Sequence, residues 1–249
     1  MTDSWIFPDW PAPPQVHAAV TTRHGPGISA PPFERFNLGL RGGDASDAVH
    51  ANRGALQQVL GLPSAPRWLR QVHGVNVAQL GPLPSVEEPE VDAAVSHIPG
   101  TVLTILTADC LPVLFCDDGG REIGAAHAGW RGLSAGVLEA TLTQLETPAS
   151  RLLAWLGPCI GAGSYEVGEE VRAAFVDQSP GAVACFKATR PGHWTCDLAS
   201  LARERLMRAG LERIHGGGFD THGDPRFYSY RRDGARSGRF ASLVWLADS

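Results

Sequence analysis

Hydrophobic positions along the chain form short runs that alternate with stretches of helical spacing, so strands and helices are predicted in turn. The most apolar runs predict strands at Val16–Thr22, Val102–Leu106, Val113–Phe115, Glu122–Ala126, Leu152–Leu156 and Ser242–Leu246. Helical spacing predicts helices at Asp47–Leu60, Ser134–Leu145, Glu166–Val176 and Leu198–Ala209. Weaker β-rich patterns predict a strand pair within Arg67–Leu80 and strands at Val183–Phe186 and Phe227–Tyr230.

This mixture of elements is typical of an α/β or α+β protein built on a mixed sheet. The proline-rich stretches are short and are interpreted as surface loops rather than linkers between domains. The chain contains no internal repeat and no low-complexity tract. We therefore predict a single domain over residues 1–249.

Composition and charge narrow the possible classes of function. The net charge of −5 argues against a general nucleic-acid binder, which presents a basic face. The N-terminus lacks the pattern of a signal peptide, and no apolar run reaches the roughly 18 residues of a transmembrane helix. Five cysteines without a Cys-x-x-Cys pair favour the reducing cytoplasm over a disulfide framework. We expect a cytoplasmic monomer or weak homodimer that acts on small molecules, without a nucleic-acid or membrane partner.

Three candidate metal ligands, His73, Cys110 and His127, lie where predicted strands meet turn-forming residues. Strand ends are where folds of this class place their sites. Two imidazoles and a thiolate suit Zn²⁺ and leave a fourth position open for water or substrate. Asp109, next to the thiol, is interpreted as a residue that orients a ligand or acts as a base. Each residue alone is weak evidence for a metal site. Burying such polar groups without partners would cost about 1–3 kcal/mol each, so we expect that something satisfies them jointly.

The same segments carry a resemblance to a known family. Its motifs include Gln71-Val72-His73-Gly74, Thr107-Ala108-Asp109-Cys110 and Ala126-His127-Ala128-Gly129-Trp130-Arg131-Gly132. Further matching segments begin at Phe36, Gly43, Asn52, Gly157, Tyr165, Phe227 and Gly238. Together they resemble the YfiH-type laccase-domain family, whose bacterial members are also called peptidoglycan editing factors. The resemblance covers nearly the whole chain.

The resemblance implies a layered α/β/β/α sandwich with mixed sheets and a zinc-dependent purine nucleoside phosphorylase. Family members are described as cleaving adenosine, inosine and methylthioadenosine with phosphate, and as deaminating adenosine. The family's zinc ligands fall on His73, Cys110 and His127. One departure is Asp220, which stands where the family often has cysteine.

Phosphorolysis requires an anion site, for which arginine is suited because its guanidinium group holds phosphate in a bidentate way. Arg53, Arg131 and Arg231 lie in family-like motifs and are candidates, each with ordinary ion pairing as the alternative. Asn37 is a further candidate for binding ribose or phosphate. Positive charge is also clustered near the C-terminus, and this cluster is better suited to a small anion than to a nucleic-acid duplex. It comprises Arg226, Arg231, Arg232, Arg236 and Arg239.

Two other enzyme classes compete with this interpretation, and a metal-stabilised binding module is a third alternative. A copper-dependent polyphenol oxidase, or laccase, is disfavoured because none of the nine histidines are two residues apart, although one His₂Cys centre can hold copper. A cysteine hydrolase that edits peptidoglycan precursors would use Cys110 as nucleophile and His127 or His73 as base. Spacing in sequence does not separate a Cys/His dyad from a metal site.

Overall fold

The computed structural model describes residues 4–83 and 87–247, which contain thirteen strands and six α-helices. The strands are β1 (Trp5–Ile6), β2 (Val16–Thr21), β3 (Val77–Gln79), β4 (Ala93–Ser96), β5 (Val102–Thr107), β6 (Leu111–Asp117), β7 (Ile123–Ala128), β8 (Leu152–Leu156), β9 (Glu166–Gly168), β10 (Phe186–Arg190), β11 (His193–Cys196), β12 (Arg213–Gly216) and β13 (Phe240–Leu246). The helices are α1 (Ser46–Leu60), α2 (Trp130–Ala135), α3 (Val137–Gln144), α4 (Glu169–Val176), α5 (Leu198–Arg208) and α6 (Tyr230–Asp233). Short 3₁₀ helices span Ala149–Arg151, Ala162–Ser164, Pro180–Cys185 and Gly234–Arg236.

Two large sheets form the body of the fold. The first has the order β12-β8-β6-β7-β4-β3 and is mixed, because β12 runs parallel to β8 and β3 parallel to β4. The second has the order β1-β2-β13-β5 and is antiparallel. A small antiparallel sheet, β10-β11-β9, carries the segment before α4.

Alternation of side chains along the strands places hydrophobic residues on both faces of the two large sheets. In β6, Val113 and Phe115 pack with α2–α5, whereas Leu114 faces the second sheet. In β13, Val244 joins the core between the sheets, and Leu243 packs with Leu56 of α1. The order of layers is therefore helix, sheet, sheet, helices, which confirms the predicted α/β/β/α sandwich.

Helix α1 illustrates how local sequence sets an element. Gly61, the residue directly after the helix, adopts a left-handed conformation (φ 58°) and donates its N–H to carbonyls of the last turn. Of its apolar residues, Val49 and Leu56 are buried, but Val59 is exposed.

Several predicted elements differ from the structure for local reasons. Residues 67–76 form an extended loop rather than a strand pair, and only Val77–Gln79 enters a sheet. The predicted helix at Ser134–Leu145 is interrupted by Gly136, whose φ is 104°. The predicted helix at Glu166–Val176 begins only after β9, because Gly168 is its N-cap.

Two predicted late strands are wrong. Residues 183–185 belong to a 3₁₀ helix that starts at Pro180, and the strand β10 begins only at Phe186. Residues 227–229 are loop, and Tyr230 starts α6. Phe227 and Tyr228 are apolar because they are buried in the core between the sheets, not because they pair as a strand.

Within residues 4–83 and 87–247, no helix has both the length and the apolar character needed to cross a bilayer.

Candidate metal centre and the pocket around it

Three strand-end segments bring His73, Cys110 and His127 together. Cys110 directly precedes β6 and His127 lies near the end of β7, and these strands are antiparallel neighbours in which Pro112 pairs with His127. His73 arrives from the loop that leads to β3. One ligand atom from each residue lies within 4.8 Å of the other two. Convergence of the three residues, expected from the sequence, is thus observed.

The spacing of these atoms suits a tetrahedral metal ion. Zinc with bonds of about 2.0–2.3 Å holds neighbouring ligand atoms about 3.5 Å apart. Cys110 Sγ lies 3.8 Å from His73 Nε2, and the centroids of the two imidazole rings are 4.7 Å apart. Three ligands of this kind leave one position of the tetrahedron open. The donor set therefore fits a catalytic rather than a four-ligand structural zinc site.

Unusual backbone conformations coincide with this centre. Among the described residues, the non-glycine residues with positive φ are His73 (61°) and Asp109 (92°). Such conformations cost about 1–3 kcal/mol each and persist where the surroundings impose them. They also explain why the Gln71–Gly74 segment does not continue as a strand.

The buried acid Asp92, absent from the sequence-based candidates, holds two of the ligands. Its carboxylate accepts hydrogen bonds from the backbone N–H groups of Val72 (3.1 Å), His73 (2.8 Å) and Gly74 (2.7 Å). It lies 2.8 Å from His127 Nδ1. The signal in the sequence was an acid directly before the apolar run Ala93–Ser96, the same form as Asp109-Cys110 before β6.

The electrostatics of the centre favour a thiolate at Cys110, the form that binds metal, and a protonated imidazole at His127, which must lose its proton to bind one. Burial raises the pKa of Cys110, but His127 and His73 outweigh it and lower this pKa to about 6. Burial lowers the pKa of His127, but the Cys110 thiolate and Asp92 outweigh it and raise this pKa to about 9. Without a metal, the pair is thus a thiolate and an imidazolium, and a bound cation would replace the imidazolium proton.

Glycines allow the ligands to approach one another. A Cβ on Gly129 would lie 2.8 Å from His73 Cδ2 and 2.9 Å from Cys110 Sγ. A Cβ on Gly132 would lie 2.9 Å from the carbonyl oxygen of Gly74. The Gly-Trp-Arg-Gly segment therefore packs its backbone directly against the metal-site loops.

A pocket of about 500 Å³ opens beside the three ligands, a volume typical of sites for small molecules. Its lining includes arginines that lie against aromatic rings. The Arg131 guanidinium carbon is 4.4 Å from the Trp130 ring centroid. Two corresponding distances are 5.1 Å for Arg231 over Tyr165 and 5.9 Å for Arg239 over Tyr230.

Two predicted anion-binding residues lie outside this lining. Asn37 is fully buried, and its amide is hydrogen-bonded to Asp44 and to the backbone of Gly39 and Arg239. Arg53 pairs with Glu88 (2.9 Å), donates to the Leu38 carbonyl and stacks on Trp68. Both side chains brace the loop that borders the pocket.

The predicted C-terminal arginine cluster divides in the same way. Arg231 and Arg239 line the pocket. Arg226 is paired with Asp224 and Arg232 with Asp233.

Asp109 and Asp220 hold the C-terminal loop to the site. Asp109 accepts hydrogen bonds from Thr221 Oγ1 and from the Arg231 N–H, both at 2.6 Å. Its carboxylate therefore connects the Cys110 turn to the segment that carries Arg231. Asp220 accepts from the Gly161 N–H (2.9 Å) and from Ser164 Oγ (2.6 Å). Asp220 thus anchors the Gly161–Ser164 segment to the C-terminal loop.

Comparisons with known proteins extend over almost the entire chain. Residues 17–247 match the family described as multi-copper polyphenol oxidoreductase laccase. A Xylella fastidiosa protein named purine nucleoside phosphorylase is 56% identical, with 98% of this chain and 97% of that protein aligned. The Escherichia coli protein named purine nucleoside phosphorylase YfiH is 47% identical, with 97% of this chain and 98% of that protein aligned.

Solved structures share the fold. The crystal structure of a Neisseria meningitidis protein is 42% identical and superimposes with a TM-score of 0.92, over 98% of this chain and 100% of that one. The crystal structure of Bacillus licheniformis YfiH is 27% identical and has a TM-score of 0.85, over 93% of both chains.

Proposed function

The chain belongs to the YfiH-type laccase-domain family, and from this membership and the pocket we propose that it is a zinc-dependent purine nucleoside phosphorylase. One observation carries the proposal: the His73–Cys110–His127 cluster borders a pocket lined by arginines. The names of the Xylella and Escherichia relatives support the same reaction. Adenosine, inosine and methylthioadenosine are the proposed substrates.

In this reaction, phosphate attacks the anomeric carbon of the nucleoside, the N-glycosidic bond breaks, and free base and ribose 1-phosphate form. Arg131 and Arg231 hold the phosphate, with Arg239 as a third cation in the lining. The aromatic rings beneath these guanidinium groups restrict their orientation while leaving N–H donors for the anion. Binding both reactants in one pocket makes the attack effectively unimolecular.

Zinc, when bound, would supply a Lewis acid that polarises an oxygen or stabilises negative charge. Trp130 and Tyr165, which line the pocket, offer apolar surface for the purine. With water in place of phosphate, the same pocket would hold adenosine for attack of that water at C6, which breaks the C6–N bond and gives inosine and ammonia. We place the enzyme in the cytoplasm, where a thiolate ligand stays reduced.

Product analysis tests the proposal directly. Purified zinc-loaded protein is incubated with adenosine or inosine, with and without phosphate, and the products are identified by mass. We expect adenine or hypoxanthine together with ribose 1-phosphate only when phosphate is present, and inosine from adenosine as the deamination product. Absence of all these products would contradict the proposed function.

The arginine assignment has its own test. Arg131→Gln and Arg231→Gln should each raise the KM for phosphate about ten-fold or more, because a charged hydrogen bond contributes about 1.5–3 kcal/mol. Arg172→Gln is the matched control, because Arg172 also stacks on an aromatic ring, Trp194, but lies outside the pocket lining. An equal effect in all three variants would contradict the assignment.

A cysteine hydrolase acting on peptidoglycan precursors is the second candidate, favoured by the thiolate–imidazolium pair of Cys110 and His127. A nucleophilic thiolate works without metal and is blocked by alkylation. Release of an amino acid from a muramyl precursor by metal-free protein would favour this candidate. Metal analysis of the purified protein separates zinc from copper, the metal in the description of the matching family model.

A further inference from the structure

Asp92 is a fully buried carboxylate in contact with the segments of both histidine ligands. Its side chain receives hydrogen bonds from the loop of His73 and lies against the ring of His127, while its carbonyl oxygen accepts the His127 N–H at 2.7 Å. A buried acid with this many donors is not explained by packing alone, because an apolar residue would avoid the cost of desolvating a charge.

The contact with His127 selects one nitrogen for the metal. A carboxylate only accepts hydrogen bonds, so the His127 nitrogen that faces Asp92, Nδ1, carries the proton. The opposite nitrogen, Nε2, is left for the ligand cluster. Carboxylate–histidine–metal arrangements of this kind fix both the tautomer and the ring orientation of the ligand.

The contacts with the His73 loop fix the second histidine. Three successive N–H groups, from Val72 to Gly74, point at the same carboxylate. This concave arrangement of donors requires the left-handed conformation observed at His73. Without the anion, the loop would lose the interactions that compensate for this conformation.

We propose that Asp92 is the positioning residue for the metal centre, setting the ring nitrogen that His127 presents and the backbone that presents His73. The inference rests on the metal site of the proposed function but not on its reaction. It predicts that removing the Asp92 carboxylate lowers the affinity for zinc in a protein that is still folded.

Asp117 provides a matched control. It is the last residue of β6, at the end of the strand away from Cys110. Asp117 is also fully buried and also accepts three backbone N–H groups, those of Gly119, Arg121 and Glu122. It holds a turn and contacts none of the three ligands. Asp92→Asn and Asp117→Asn therefore remove similar local interactions, and only the first touches the centre.

Zinc affinity is measured by competition with a chelator, at a temperature at which both variants are folded by circular dichroism. Asp92→Asn should lose about 10–100-fold in affinity, the usual effect of removing such a partner. Asp117→Asn should stay within about two-fold of the unsubstituted protein, because distant sites act independently. Equal affinities in the two variants would overturn the proposal.

Nuclear magnetic resonance gives a second readout that needs neither activity nor metal. A His127 Nδ1 proton protected from exchange should appear in the metal-free and zinc-loaded protein and in Asp117→Asn. It should lose this protection in Asp92→Ala, because alanine leaves no side-chain acceptor for it, whereas asparagine would keep an amide oxygen. Its absence from the unsubstituted protein would overturn the proposal even if Asp92→Ala did not fold. If the protein bound no zinc, the metal site of the proposed function would fail, while this proton would still decide whether Asp92 sets the tautomer of His127.

Discussion

At the scale of single residues, Gly129 leaves room for the side chains of His73 and Cys110 because it has no Cβ atom. It precedes α2 with φ −63° and ψ 155°, a conformation that alanine adopts without strain. Any effect of a methyl group there therefore comes from its contacts with His73 and Cys110.

We predict that Gly129→Ala lowers zinc affinity by about ten-fold or more, because the methyl group displaces two ligands from positions that tolerate little movement. The protein should remain folded, since His73 is an exposed residue whose side chain can move away. Gly163→Ala is the control, because a Cβ at Gly163 has nothing within 4 Å. Chelator competition and thermal unfolding measure the two effects, and normal zinc affinity in Gly129→Ala would contradict the prediction.

At the scale of elements, the β6–β7 hairpin has one end in the metal centre and the other in a turn closed by Asp117. The pKa of Asp117 is raised by burial, but the hydrogen bonds from Glu122, Arg121 and Gly119 outweigh this and lower it below the usual value. The carboxylate thus stabilises the folded hairpin in its ionised form, and its protonation would remove that stabilisation.

We predict that Asp117→Asn lowers the free energy of unfolding at pH 7 by about 1–3 kcal/mol, the cost of leaving buried donors without their partner. A lowered folded-state pKa stabilises the protein above the unfolded-state value of about 4, and this contribution is lost as the pH falls further. The difference from the unsubstituted protein should therefore shrink below about pH 4. Urea unfolding over a pH series measures it, and a difference that grows in acid would contradict the prediction.

At the scale of the whole molecule, the two large sheets share one core. Leu114 of β6 and Trp155 of β8 contact a cluster that also contains Val20 of β2 and Val244 of β13. The strands near the two ends of the chain, β2 and β13, are paired neighbours in one sheet. The four layers therefore depend on one another, and the single domain over residues 1–249 stays a prediction.

We expect one cooperative transition in calorimetry of the zinc-loaded protein, with equal calorimetric and van't Hoff enthalpies. Free zinc at about 100 times its dissociation constant should add about 2.7 kcal/mol to the free energy of unfolding. Two separate transitions in the zinc-loaded protein would contradict the single domain. The predicted monomer or weak homodimer stays a prediction, which sedimentation would test.

The sequence by itself determined the elements that are regular over their own length. Apolar runs and helical spacing predicted β2, β6, β8, β13 and most of α1 and α5, because burial of one face imposes a periodicity that can be read locally. The motifs also identified the family, and with it the convergence of His73, Cys110 and His127.

Only the tertiary structure decided the features that join distant segments. Asp92 and His127 meet because β4 and β7 pair, and Asp109 meets Thr221 because the C-terminal loop folds over the Cys110 turn. Asn37 and Arg53 were predicted to bind an anion because of their residue types. In the structure their side chains bind loop carbonyls and carboxylates and do not line the pocket. Local patterns report whether a residue is buried, whereas its partner depends on pairings between residues far apart in the chain.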